Sequence, residues 1–79
     1  MRIDKYLKLT RLIKRRTVAN EACDAGRVSV NGKVIKASYD VKPGDEITIG
    51  FGNRSVSVRV LDIKETVRKE DAEGLFEYI

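Results

Sequence analysis

The apolar periodicity of this 79-residue chain changes from about 3.6 to 2 at Gly26, and that switch sets the kind of fold open to it. Ile3, Tyr6 and Leu7 stand at i, i+3 and i+4, which predicts a short amphipathic helix over residues 2 to about 9. Leu12 and Ile13 carry the apolar supply through a connecting turn. Thr17 is read as the N-cap of a second helix running to about residue 25, with Val18, Ala22 and Ala25 as its apolar stripe and Cys23 beside them. Gly26 then falls where a helix ends in a left-handed residue. Beyond it the period is two. Arg27-Val28-Ser29-Val30 alternates, Asn31-Gly32 supplies a tight hairpin turn, and residues 33–36 return as the partner strand. Lys42-Pro43-Gly44-Asp45 has the residues of a type II turn. Alternating strands are predicted over 46–50 and 55–61 around a turn at 51–54, then a short helix near 68–73 and an end strand at 75–79. The expected class is α+β, two N-terminal helices packed at one side of a small, mostly antiparallel sheet.

A chain of this length reads as one domain, 1–79, with no room for a separate catalytic module. One cysteine and no histidine exclude an intrachain disulfide and leave zinc without its usual ligands. Stability must then come from packing, which suits a reducing compartment. No run approaches the ~20 apolar residues of a membrane span, and the start resembles no signal peptide, so a cytoplasmic protein is expected.

Catalysis is argued against by the same inventory. Without histidine, proton transfer would fall to carboxylates, Lys, Tyr or Cys23. Cys23, with no imidazole to activate it, reads as a small buried hydrophobe. The acids from Asp62 onward lack metal-ligand spacing, and the glycines each have a turn role rather than forming a phosphate loop. No catalytic residue, metal or cofactor is expected.

The charge distribution is more informative than the net charge of +4. Residues 1–20 carry seven basic side chains (Arg2, Lys5, Lys8, Arg11, Lys14, Arg15 and Arg16) against one acid, Asp4. The other residues carry nine basic against eleven acidic. Such asymmetry points to a polyanionic partner for the basic end. Arg2, Lys5 and Lys8 recur along one side of the first helix while Ile3 and Leu7 face the core. The run 14–16 directly precedes the second helix, where cations oppose the helix dipole by about a few tenths of a kcal/mol each. Phosphates bound there would explain that arrangement, since arginine forks and free helix N–H groups both suit them. Folded RNA fits better than a DNA groove, because the second helix's expected outer face, Asn20, Glu21 and Asp24, is acidic. Tyr6 is read as half-buried core, with base stacking as the alternative.

Four segments, in order, carry a family resemblance. Arg2-Ile3-Asp4-Lys5-Tyr6-Leu7, Arg15-Arg16 with Ala19, Ala25-Gly26-Arg27-Val28-Ser29-Val30-Asn31-Gly32-Lys33, and Val41-Lys42-Pro43-Gly44-Asp45 resemble the S-four RNA-binding domain. That domain is named for small-subunit ribosomal protein four and is shared with pseudouridine synthases and tyrosyl-tRNA synthetases. The resemblance covers residues 1–49 and implies the αL fold, with RNA on the basic helical face. Within the family the chain is similar to the ribosome-associated quality-control protein P group, with the heat-shock protein fifteen group as the alternative. The first implies a non-catalytic factor on stalled large ribosomal subunits, touching ribosomal RNA and peptidyl-tRNA and supporting C-terminal tailing of the nascent chain beside a tailing factor. The second implies recycling of large subunits with bound nascent chain. By position Arg2 and Arg16 match the family's RNA-facing residues, and Lys5, Arg11, Lys14 and Arg15 flank them. The heat-shock relatives carry a longer basic C-terminal extension, whereas residues 62–79 hold six acids and three basic residues, which favours the first group. An RNA-docking module of a modifying enzyme is a further alternative. Met1 and the strands after Asp45 argue against a fragment of such an enzyme, and the acidic end argues against a structural ribosomal protein; a monomer is expected.

Overall fold

Ile3, Tyr6 and Leu7 are fully buried on one side of helix α1 (Ile3–Leu9), as their spacing requires. This computed structural model describes the backbone of residues 1–79 and every side chain except that of Lys69. A six-residue turn leads to helix α2 (Arg16–Asp24), which packs across α1. The sheet comprises β1 (Val28–Val30), β2 (Lys33–Val34), β3 (Glu46–Phe51), β4 (Arg54–Val60) and β5 (Phe76–Tyr78), with a 3₁₀ helix (Lys69–Leu75) leading into β5. Strand order is β2-β1-β3-β4-β5, and every neighbouring pair is antiparallel. The expected α+β arrangement is the one found.

Register places one apolar column on the inner face. Val28 pairs with Ile49 and Val30 with Ile47, Ile47 pairs with Val58, and Val60 pairs with Phe76. All seven are buried, and the helices close over them. Because strand side chains alternate, a shift of one residue would turn this column to solvent. The turns hold the register. Asn31 and Gly32 both have positive φ, 52° and 85°, as the predicted hairpin turn demands. Gly44 sits at φ 94°, and the Asp45 N–H donates to the Lys42 carbonyl at 3.1 Å. Asp45 is itself buried and accepts from Asn31 Nδ2, Tyr39 Oη and the Lys42 N–H at 3.0–3.2 Å, tying both turns together.

Two details of α2 differ from the sequence reading. Arg15, not Thr17, occupies the N-cap, with extended backbone and no side-chain cap bond. The buried stripe is Ala19 and Cys23, with Ala22 partly buried; Val18 is 46% exposed and Ala25 lies outside the core. Polar anchors set this rotation. Asn20 Nδ2 donates to Asp4 Oδ2 at 3.1 Å, and Asp24 Oδ1 accepts from the Ala37 N–H at 3.1 Å. These bonds turn Ala19 and Cys23, the next residues around the helix, toward α1. Two of the three polar residues expected on α2's outer face, Asn20 and Asp24, are thus structural.

The C-terminal segment completes the core. Tyr6 is wholly buried and its hydroxyl donates to the Leu75 carbonyl at 2.7 Å, so it is core and unavailable for stacking on a base. Burial, then the nearby Asp62 charge, pushes its phenol pKa well up. Tyr6→Phe would leave the Leu75 carbonyl without that donor and should lower stability by about 1–3 kcal/mol in urea unfolding. An unchanged midpoint would show that water replaces the bond.

Candidate nucleic-acid interface

The basic N-terminal face is organised by the one acid within it. Asp4 is buried on α1, and its two oxygens collect donors from three directions. The Lys5 N–H donates to Oδ1 at 2.8 Å, Arg2 Nε to Oδ1 at 3.2 Å, Arg2 Nη2 to Oδ2 at 3.3 Å, and Asn20 Nδ2 to Oδ2 at 3.1 Å. Arg16 Nη2 lies 3.4 Å from Oδ1. Burial would raise this carboxyl's pKa. Hydrogen bonds from Asn20 and Arg2, the charge of Arg16 and the Lys5 N–H outweigh it and hold the group below its ordinary 3.8.

This geometry has a direct consequence for the two arginines. Both guanidinium groups are held against one carboxylate that is 3% exposed, while their own side chains are 50% and 49% exposed. Asp4 occupies only two of the five N–H donors of Arg2. The remaining donors face solvent on a pre-ordered pair of forks, a geometry that suits bidentate phosphate binding. Asp4 also screens the repulsion between neighbouring cations. Lys36, from the segment after β2, lines a shallow depression with Arg2 and extends the positive surface beyond the first twenty residues.

The other basic residues divide. Lys8, Arg11 and Lys14 surround a second depression at the far end of α1. Arg15 is exposed at the start of α2. Lys5 instead donates to Glu65 of the C-terminal segment at 2.6 Å, and that pairing with an exposed acid reduces its share of the positive field. Arg11 follows the C-cap Thr10 and has φ 63°, a left-handed conformation that costs a non-glycine residue about 1–2 kcal/mol. Its N–H donates to the Lys8 carbonyl at 3.1 Å, which keeps the turn closed. Sequence reasoning missed the anchoring role of Asp4 and Asn20 and the contribution of Lys36. A lone acid among seven cations was the available signal for the first; nothing local marked the other two.

Cys23 plays no part in this surface. It is 1% exposed, and burial, with Asp4 and Asp24 nearby, pushes its thiol up to about 11, leaving it protonated at neutral pH.

Comparison with known proteins agrees with the geometry. Residues 1–47 match the model of the S4 domain. The chain is 55% identical over 76 residues to a Bacillus subtilis protein named RQC P-site tRNA stabilizing factor, covering 96% of this chain and 88% of the relative. A Halalkalibacterium halodurans protein of the same name is 57% identical over 77 residues, covering 98% and 88%. In three dimensions the chain superposes on heat shock protein 15 of Vibrio cholerae, solved as a trimer, with a TM-score of 0.92 and 29% identity, covering 100% of this chain and 81% of that one.

Asp4→Asn keeps the shape and removes the anchoring charge. Its depressed pKa means that the Asp4 contribution is fully present above pH 3.8 and is lost as pH falls through the lower folded value. The variant should therefore be less stable than the parent by about 1–3 kcal/mol near neutrality. The gap should narrow as pH falls below 3.8 and the parent's own Asp4 protonates. Urea unfolding of both proteins across that range tests it; a gap independent of pH would refute the charged anchor.

Proposed function

The chain belongs to the S4 domain family, and we propose that it is a non-catalytic RNA-binding factor of ribosome-associated quality control, holding tRNA and ribosomal RNA on stalled large ribosomal subunits. The carrying observation is the Arg2–Asp4–Arg16 cluster, two half-exposed guanidiniums ordered by one buried carboxylate. Phosphates in a fixed arrangement are the ligand class that such a pair fits. Lys8, Arg11, Lys14 and Arg15 extend this contact along the backbone of a folded RNA, with Lys5 as a weaker contributor. The role for which the relatives are named, stabilising a P-site tRNA, supports tRNA as one of the two RNAs.

The finer reading is that the tRNA is peptidyl-tRNA and the second surface is large-subunit ribosomal RNA. By stabilising the tRNA, the factor supports C-terminal tailing by a separate tailing factor on the same subunit. It acts in the cytoplasm as a monomer, a reading supported by the buried cluster that one chain encloses by itself. The heat-shock alternative is the less favoured, since identity to that structure is 29% against 55% and 57% to the quality-control relatives. The single domain 1–79 carries binding alone, the chemistry of tailing lying with other components.

Arg16→Ala should weaken co-sedimentation with large subunits carrying peptidyl-tRNA by about tenfold and reduce the salt slope by about one unit. Its unfolding midpoint should change little, because Arg2 and Asn20 still hold Asp4. Normal folding with undiminished co-sedimentation at every salt concentration would sink the interface.

A further inference from the structure

The inner face of the sheet is longer than the helices that cover it. Ile47 and Ile49 of β3 are buried, and Phe51, on the same face of that strand, is 40% exposed. Along β4, Val58 and Val60 are buried while Val56 is only partly so. On β5, Phe76 is buried and Tyr78 is 69% exposed, its ring meeting Phe76 edge-on at 5.3 Å. The result is a groove of about 820 Å³ between the end of α1, the β3–β4 hairpin and β5, with Leu12 on its wall.

Its rim narrows the choice of occupant. Arg11 and Arg54 flank the aromatic floor, with Glu73 as the acid in the lining. Arg11 also lines the adjoining depression that holds Lys8 and Lys14, so the groove is continuous with the basic end of α1. Aromatic faces bordered by arginines match a nucleic-acid strand, whose bases offer flat apolar faces and whose backbone offers anions. A purely apolar protein segment would satisfy the floor and leave the two cations unmatched.

We propose that this groove takes one or two unstacked bases of single-stranded RNA, stacked against Phe51 and Tyr78 with Arg11 and Arg54 on the adjacent phosphates. The proposal rests on the RNA-binding reading above and adds a second mode to it. The Arg2–Arg16 pair grips the backbone of folded RNA, and the groove accepts bases from a loop or end beside it. The left-handed backbone at Arg11 is consistent with this use, since a strained position is occupied by a cation rather than by glycine.

The test uses the full chain with an unstructured oligoribonucleotide of about eight nucleotides carrying 4-thiouridine, a length in the range that single-strand sites span. Irradiation should crosslink Phe51 or Tyr78. A Phe51→Leu, Tyr78→Leu double variant retains apolar bulk and should fold normally while binding the oligonucleotide about tenfold more weakly. Arg11→Gly relieves the backbone and removes the cation, so it should unfold at equal or higher denaturant yet bind the oligonucleotide more weakly. Arg16→Ala should leave oligonucleotide binding nearly intact while weakening subunit binding. Absence of crosslinks in the groove together with parent-like affinity of the double variant would overturn the proposal, and a retained Arg16 effect on subunits would leave the helical interface standing. Groove crosslinks with no Arg16 effect on subunits would support the groove and overturn the helical interface instead. Two further results would overturn it: self-association of the parent lost in the double variant with RNA binding unchanged, assigning the groove to a second copy, and weakened binding to intact subunits with unchanged binding to naked ribosomal RNA, assigning it to a protein.

Discussion

A carboxylate removed from water between two arginines holds the N-terminal half of this molecule together. Asp4 receives donors from α1 itself, from Arg2 before it and from Asn20 on α2, with Arg16 within ion-pair range. An unpaired buried charge would be strongly destabilising, so burial of Asp4 is tolerable only while donors such as Arg2 and Asn20 hold it. The same contact orders two guanidinium groups that would otherwise sample many rotamers. Folding and ligand preorganisation therefore share one interaction, with Arg2 and Asn20 supplying its hydrogen bonds and Arg16 its outer charge.

The family motifs separate into binding and scaffold groups once the contacts are known. Arg2, Asp4 and Arg16 build the candidate interface. Asn31, Gly32, Gly44 and Asp45 lock the turns that hold β1 and β3 in register, and none of them belongs to the basic surface. Precision at the interface depends on this second group, because α1 is strapped to the loop after β2. The Ile3 N–H donates to the Tyr39 carbonyl at 2.8 Å, and the Val41 N–H to the Met1 carbonyl at 2.9 Å. Tyr39 in turn donates to Asp45.

The acidic C-terminal segment is more than a solvated tail. Leu75 closes the core over Tyr6, and β5 adds the last strand through pairings such as Val60 with Phe76. Glu65 meets Lys5 on α1, so negative charge borders the positive face on one side. Such a border repels phosphates where it stands and favours one orientation of a polyanion on the helices. The exposed end of the same strand supplies Tyr78 to the aromatic groove.

Periodicity and turn chemistry in the sequence alone determined the class of fold, the helix-to-strand switch at Gly26 and the Asn31-Gly32 hairpin. These are local properties, set by backbone sterics and by spacing along one element. The concentration of cations in the first twenty residues was equally plain, and it pointed to a polyanion before any contact was known. Tertiary structure decided which way α2 turns, because Asn20 and Asp24 bond to residues far from them in the chain and bring Ala19 and Cys23 inward where Val18 and Ala25 were expected. It also made Arg15 the cap in place of Thr17, committed Tyr6 to the core and paired Lys5 with Glu65. Above all it turned Asp4 from one acid among seven cations into the anchor of two of them. Side-chain burial and long-range donors are properties of the assembled chain, and no spacing of residues along α1 or α2 contains them.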